Sequence, residues 1–214
     1  MKRLSIIIIM LAAVITGWAQ QIQQSDLRSH NIFAFPSFQD VKVLQPFGRF
    51  VKAKGNILLK NGAFCFEQNG KIMQANTQNI LGVDFDSIKY KKIDATLMGR
   101  VIAEQKYNYL LCATTINMKQ LEEETMGGTN APFLDIVDAG QLYEIDGNSF
   151  EYDKGYPLQK KYYFMVQGRI IPANETQFKK VVRPEMKTAF KHLMEDRSWS
   201  WKDEKSLAQL LGYL

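Results

Sequence analysis

Pairs of turn-forming residues recur at short intervals along the chain and constrain its fold more than any other feature. Asn61-Gly62 and Asn69-Gly70 separate three short runs of apolar and polar residues, and Gln167-Gly168 separates two more. An Asn-Gly pair readily takes the positive φ angles that a tight hairpin requires. The spacing therefore predicts a series of short hairpin strands. They cover residues 56–60, 63–67, 71–75, 100–104, 107–116, 141–145, 149–153, 162–166 and 169–171.

The pattern changes from strands to helices at Pro172. Asn174 with Gln177 is typical of a helix cap, Pro184 suits the first turn of a second helix, and Ser200 with Asp203 resembles the capping box of a third. We therefore predict an α+β fold. Its antiparallel meander sheet or partly closed barrel extends to about residue 173, and C-terminal helices within residues 174–214 pack on one face of the sheet.

Residues 1–19 are typical of a cleaved secretion signal peptide. Lys2 and Arg3 precede an uncharged apolar run, and small residues before Gln20 predict cleavage between Ala19 and Gln20. A membrane anchor needs about 20 apolar residues and this run is nearer a dozen, so an anchor is disfavoured. We expect an exported protein, periplasmic or extracellular, without a membrane span.

The rest of the chain predicts one domain after a short leader. Residues 20–38 are rich in glutamine and form a polar leader that we expect to be only partly ordered. Residues 39–214 are long enough for a single α+β domain with a sizeable core. With 46% hydrophobic and 12% aromatic residues, the composition argues against disorder.

The charge is modest in total and uneven along the chain. Loss of the signal lowers the net charge from +5 to +3, which is too weak a field to indicate nucleic acid, and export removes most such partners. Residues 120–153 hold nine acidic residues and no basic one, between two basic flanks. This acidic stretch is open to three interpretations: solvated, paired with the flanks, or cation-binding.

Two cysteines occupy predicted strands. In an oxidising compartment, a bridge between Cys65 and Cys112 would close a long loop and stabilise the fold by about 4 kcal/mol in the chain-entropy model. The alternative is two separate buried thiols that fill apolar space. A thiol hydrolase with His192 as base is a weaker hypothesis, because no motif accompanies either cysteine.

Oxygen-rich and aromatic side chains supply two weak site predictions. Asp146, Glu151 and Asp153 are weak calcium candidates, because their spacing is not that of an EF-hand and hairpin alternation would separate them. Trp199 and Trp201 precede the last predicted helix and would suit a platform for sugar rings or a partner protein. Burial preferences favour a core role for this tryptophan pair.

No catalytic motif points to an activity. The two histidines, His30 and His192, do not have zinc-site spacing, and phosphate-loop, dinucleotide and serine-elbow motifs are absent from the sequence. We therefore expect no cofactor and a non-catalytic binding or structural module whose partner is an unknown protein or glycan. One alternative is an extracytoplasmic hydrolase whose carboxylate pair is not visible from spacing. A second alternative is a subunit of an envelope assembly.

Overall fold

An antiparallel β-sheet that curls into a half-barrel makes up most of the fold, and a few helices accompany it. The computed structural model describes residues 27–125 and 151–214. The predicted α+β fold with an antiparallel sheet is confirmed. The strands are β1 (Arg28–Asn31), β2 (Gln39–Leu44), β3 (Phe50–Leu58), β4 (Ala63–Gln68), β5 (Lys71–Gln74), β6 (Gly82–Phe85), β7 (Ile88–Lys92), β8 (Met98–Gln105), β9 (Asn108–Ile116), β10 (Glu151–Val166) and β11 (Arg169–Pro172). The helices are α1 (Met118–Thr125), α2 (Glu175–Phe178), α3 (Lys187–Glu195) and α4 (Glu204–Gln209).

The order of the strands gives β10 a special place. The order is β1-β10-β9-β8-β7-β6-β2-β3-β4-β5, and β11 also pairs with β10. Strand β9 pairs with one edge of β10 from Leu158 to Met165. The other edge of β10 is shared, because β1 pairs with its first half as far as Pro157 and β11 pairs with its last residues from Tyr163 onward. A stretch of this shared edge therefore lies between two partners.

The hairpin turns at Asn69-Gly70 and Gln167-Gly168 follow the sequence prediction, whereas at Asn61-Gly62 only Gly62 has a positive φ angle, of 71°. Strands β3, β4 and β5 form the predicted meander, and β8 with β9 and β10 with β11 form the predicted pairs. Asn69 and Gly70 have φ angles of 53° and 73°, and Gln167 and Gly168 have φ angles of 50° and 83°. Two successive positive φ angles match the right-handed twist of the paired strands. The predicted acidic hairpin lies outside the described residues except for residues 151–153, which begin β10.

Three apolar clusters form the core. The first lies inside the curled sheet and includes Phe64 and Val83. The second joins β3, β4 and β9 to α1. The third unites Leu110 and Phe164 of the sheet with side chains of the C-terminal segment. These are Phe178, Val182, Phe190, Leu207, Leu210 and Leu211. The third cluster is thus built from both β-sheet and helical residues.

The helix caps agree with the sequence at one position and differ at another. Asn174 caps α2 as predicted, since its side-chain oxygen accepts the Gln177 N–H at 3.0 Å. For α4 the cap is Asp203, which accepts from both the N–H (2.7 Å) and the hydroxyl (2.9 Å) of Ser206. The prediction of Ser200 as the cap is wrong, because its hydroxyl instead accepts the Lys202 N–H within the preceding turn.

The disulfide considered from the sequence is not formed. Cys65 and Cys112 are both free and buried. Cys65 lies in β4, between β3 and β5, whereas Cys112 lies in β9, between β8 and β10. The Cys65 side chain belongs to the second cluster, whereas Cys112 Sγ lies 3.8 Å from Thr114 Oγ1 on its own strand. The two cysteines therefore correspond to the alternative of separate buried thiols.

The first described residues already belong to the folded part of the chain. Strand β1 pairs with β10, and Ile32 and Phe33 are buried in the second cluster. The end of the leader, at residues 28–38, thus contributes to the sheet and the core, while residues 20–26 lie outside the described ranges. Within those ranges, no helix combines the length and the apolarity needed to cross a bilayer.

Candidate binding cleft

A cleft of about 970 Å³ opens beside the shared edge of β10. This volume is at the upper end of the range for small-molecule sites, which is roughly 300–1,000 Å³. Its walls come from β10, from the start of α1, from the end of β11 and from the turn before α4. The lining residues are Leu27, Asn117, Gln120, Leu158, Gln159, Lys160, Lys161, Tyr162, Tyr163, Pro172, Ala173, Trp201 and Lys202.

The floor of the cleft is an uncovered stretch of β10. On one side of the stretch, the Leu158 N–H donates to the Leu27 carbonyl at 2.7 Å, and on the other side the Ala173 N–H donates to the Tyr162 carbonyl at 2.9 Å. Alternate residues of an antiparallel strand direct their N–H and C=O groups to the same edge. The main-chain groups of Lys160 therefore face the cleft edge, between two segments that already pair there.

The cleft is cationic. Lys160, Lys161 and Lys202 all line it, and the described lining residues include no Asp or Glu. Asn117, Gln120 and Gln159 also line it, and their amides already hydrogen-bond within the protein, Gln120 Nε2 donating to Glu124 Oε1 at 3.0 Å and Gln159 Nε2 to the Ile116 carbonyl at 3.4 Å. The three lysines favour a ligand that carries negative charge and many oxygen atoms.

Glu204, the first residue of α4, interacts with sheet residues beside the cleft. Its Oε1 atom lies 3.1 Å from Lys160 Nζ, 3.2 Å from the Tyr162 hydroxyl and 3.9 Å from Arg100 Nη2. The three partners come from β8 and β10, so one carboxylate at the start of α4 connects it to two strands. Burial, together with the nearby Cys112 and Glu204, raises the pKa of Tyr162, which keeps the phenol protonated as a donor.

The two predicted tryptophans have different surroundings. Their rings meet edge to face with centroids 4.7 Å apart. Trp199 donates its indole N–H to the Ser206 carbonyl at 3.2 Å, whereas Trp201 lines the cleft and has its ring centroid 6.3 Å from that of Phe178. Both rings pack against the third core cluster. The structure therefore places Trp201 at the cleft and connects Trp199 to α4.

The cysteines are not placed for nucleophilic chemistry with His192. His192 is exposed and its Nδ1 lies 3.6 Å from Glu195 Oε2. Both thiols are buried, and burial raises the pKa of Cys65 to about 12 and raises the pKa of Cys112 as well. A reactive cysteine needs a lowered pKa, so these surroundings favour inert thiols.

The calcium candidates fall largely outside the described residues. Asp146 lies there entirely, and nothing is described of the Glu151 side chain. Asp153 is described and exposed. Among the residues that the structure describes, no group of three or more His, Cys, Asp or Glu side chains is placed to hold a metal ion.

Sequence reasoning did not single out the lysines of the cleft. Lys160 and Lys161 sit inside β10, and Lys202 follows only after α3. The excess of basic over acidic residues after residue 154 indicates a positively charged surface in this part of the chain. It does not indicate which lysines line the same cleft. Their proximity depends on the pairing of β10 with two different partners along one edge.

Comparisons with known proteins add no family to this description. No protein-family model matches the chain, and no curated protein or solved structure shows significant similarity to it.

Proposed function

We propose that the protein is a non-catalytic binding module outside the cytoplasm and that its cleft binds an acidic glycan. The observation that carries the proposal is the meeting of three lysines around one cleft without a lining carboxylate in its described walls. Support for export comes from the signal-like pattern of residues 1–19, and cleavage before Gln20 is tested by mass spectrometry of the mature protein.

The cationic walls suit a polymer with repeated carboxylate groups. Lys161 lines the cleft from β10, on the strand face opposite to that of Lys160 and Tyr162, and Lys202 lines it from the turn before α4, so we propose that an extended ligand crosses the strand edge and contacts both. Lys160 is the least available of the three, because it already pairs with Glu204. We therefore assign recognition chiefly to Lys161 and Lys202, and assign to Lys160 the positioning of the wall.

The uncharged groups suit sugar rings. Trp201 supplies an aromatic surface of the kind on which the apolar face of a pyranose packs. The main-chain N–H and C=O of Lys160, which face the cleft, can satisfy ring hydroxyls. In this arrangement, which we propose as the architecture of the site, the C-terminal helices cover one face of the sheet and hold Trp201 at its edge.

A titration with paired ligands tests the proposal. An oligomer of galacturonate and its methyl ester differ in charge but share ring structure, and calorimetry measures the affinity of the protein for each. We expect the acidic oligomer to bind and the ester to bind at least about tenfold more weakly, since several ion pairs of modest strength are lost. Increasing salt concentration should weaken only the acidic ligand.

Two substitutions locate the binding. Lys161→Gln should weaken the acidic oligomer by about two- to fivefold, as expected for a partly exposed ion pair. Lys191→Gln removes an exposed lysine of α3 that is not among the cleft residues and serves as the matched control. Equal affinity of both variants for the oligomer, or equal affinity of the wild type for oligomer and ester, would contradict the proposal.

The hydrolase alternative has a separate test. It needs two carboxylates roughly 5–10 Å apart in a cleft, and the described lining residues supply none. Chromatography of the acidic oligomer after long incubation with the protein distinguishes the two functions. Shortened oligomers would favour the hydrolase, whereas unchanged length with measurable affinity would favour the binding module.

A further inference from the structure

The turn between β2 and β3 places apolar side chains in solvent. Phe47 is 95% exposed, while Phe50, Val51 and Leu81 are each about half exposed. Leu81 belongs to the same surface, because its N–H donates to the Leu44 carbonyl at 2.8 Å beside the turn. We call the side chains of Phe47, Phe50, Val51 and Leu81 the apolar tip.

The backbone of this turn is unusual for an aromatic residue. Phe47 has a φ angle of 63°, within Pro46–Gly48, and Gly48 follows with a φ angle of 71°. The left-handed region is unfavourable for a residue with a β-carbon and favours glycine or asparagine. The chain thus keeps a large apolar side chain at a position where a small or polar residue would be more stable. Such a departure is a reason to look for a function.

Basic residues stand behind the apolar tip. Lys42 and Lys52 face each other in the β2–β3 register, and both are exposed, as is Arg49 at the turn. Asp84 of β6 is opposite Lys42 of β2 on one side and opposite Lys89 of β7 on the other. One carboxylate therefore stands between two lysines. The surface around the tip is therefore cationic, and complementary to a surface of negative charge.

The distance between the apolar tip and the basic residues behind it matches the depth of the interfacial region of a bilayer. The Lys42–Lys52 pair lies two residues before the Leu44–Phe50 pair, which is about 7 Å along the strands. Interfacial segments bury their apolar face roughly 5–10 Å deep, at the boundary of headgroups and acyl chains. We propose that the apolar tip inserts into the surface of a bilayer with anionic headgroups, while the basic residues contact those headgroups.

The size and shape of the tip favour a bilayer over a protein partner. Phe47 and Phe50 together expose roughly 300 Å² of aromatic surface, and Val51 and Leu81, each about half exposed, add a smaller area. Each partner in a stable protein–protein interface buries about 800 Å². A narrow hairpin end falls well short of that area, whereas lipid closes around a small protrusion from all sides. Long basic side chains can also extend from the tip to the headgroups.

Flotation with vesicles tests the proposal and has a matched control. Tyr107, in the turn between β8 and β9, is 82% exposed and follows Lys106, whose φ angle is 57°. Since β8 and β2 run in opposite directions in the sheet, this turn lies at the other end from Phe47. Phe47→Ser and Tyr107→Ser therefore each remove one exposed aromatic ring from a hairpin turn.

We expect the wild-type protein to float with vesicles of equal parts phosphatidylcholine and phosphatidylglycerol, and less with phosphatidylcholine alone. Phe47→Ser should lower the partition coefficient about tenfold, because it removes one large apolar side chain. Tyr107→Ser should leave it unchanged, and Phe47→Trp should retain it, since tryptophan favours the interface. A combined Arg49→Gln and Lys52→Gln variant should lose only the preference for phosphatidylglycerol.

Three results would overturn the proposal. These are failure of the wild type to float with either vesicle, equal partition of Phe47→Ser and wild type, or equal losses for Phe47→Ser and Tyr107→Ser. Thermal melting of each variant checks that it remains folded. The result does not depend on the cleft, so glycan affinity and vesicle partition can succeed or fail separately.

Discussion

Strand β10 contains two stretches with opposite surroundings. Around Phe164, which is 0% exposed, β9 and β11 cover both edges and the third core cluster covers the side chain. Around Lys160, four residues earlier and on the same face of the strand, β9 covers one edge and a cleft opens at the other. The comparison indicates that edge coverage and residue composition change together along β10, from the buried stretch to the one that we propose for binding.

The largest effect is expected at the covered stretch. Phe164→Ala should lower the free energy of unfolding by about 3–5 kcal/mol, since it removes a fully buried ring that packs on Phe178 with centroids 4.8 Å apart. Urea denaturation measures this change. A loss below about 1 kcal/mol would mean that the third cluster is not a well-packed core.

The two tryptophans separate stability from binding, because both pack on the third core cluster but only Trp201 lines the cleft. Trp199→Ala and Trp201→Ala should each lower the free energy of unfolding by about 2 kcal/mol, as both rings are half-buried against the core. Only Trp201→Ala should also weaken the acidic oligomer, since Trp199 is not a lining residue. Denaturation and calorimetry on both variants check this difference, and equal losses of affinity would break it.

A pH-dependent contribution is expected at the start of α4. Hydrogen bonds from the backbone and hydroxyl of Ser206 lower the pKa of Asp203. A group whose pKa is lower in the folded state stabilises above its unfolded pKa, and that stability is lost as the pH falls through the folded pKa. Asp203→Ala should therefore be less stable than wild type at neutral pH, with the difference shrinking in acid. Thermal melting across that pH range measures it.

Asp203→Asn is the matched control for this cap. Asparagine is also a good cap but does not titrate in this range. The variant should keep the helix capped and should not show the acid-induced loss that the aspartate contributes. Parallel pH profiles of Asp203→Asn and wild type would show that the carboxylate has no such role.

The smallest change in stability is expected at Glu204, which contacts β10 between its covered and its uncovered stretch. Glu204→Gln removes the negative charge that pairs with Lys160 and Arg100. Stability should fall by about 1 kcal/mol or less, because the partners are partly exposed. Affinity for the acidic oligomer should rise about twofold, since Lys160 becomes available to the ligand. Weaker affinity in calorimetry would show that Glu204 acts mainly by positioning Lys160.

The hairpins of β3 to β5, β8 with β9 and β10 with β11 were predictable because their signals are local, whereas β1, β2, β6 and β7 were not predicted. The turn pairs at Asn69-Gly70 and Gln167-Gly168 and the cap at Asn174 depend on residues adjacent in sequence. The cap of α4 was misplaced because Ser200 and Asp203 both have suitable side chains, and only the geometry of the turn selects between them.

The cleft was not predictable, because it depends on contacts between distant segments. Lys161 and Lys202 are far apart in sequence, and both line a cleft that opens where β1 and β11 leave part of the β10 edge uncovered. The choice between a disulfide bridge and two separate thiols also depends on contacts between distant segments. Cys65 and Cys112 sit in strands whose positions in the sheet follow from long-range pairing.

Chemical-shift mapping tests the central claim most directly, namely that the uncovered stretch of β10 is the binding region. On titration of the isotope-labelled protein with the acidic oligomer, the amide signals of Lys160 and Lys161 and the indole signal of Trp201 should shift. The amide signals of Phe164 and Phe47 should stay in place. Shifts confined to residues outside the cleft, or no shift at any residue, would contradict the account.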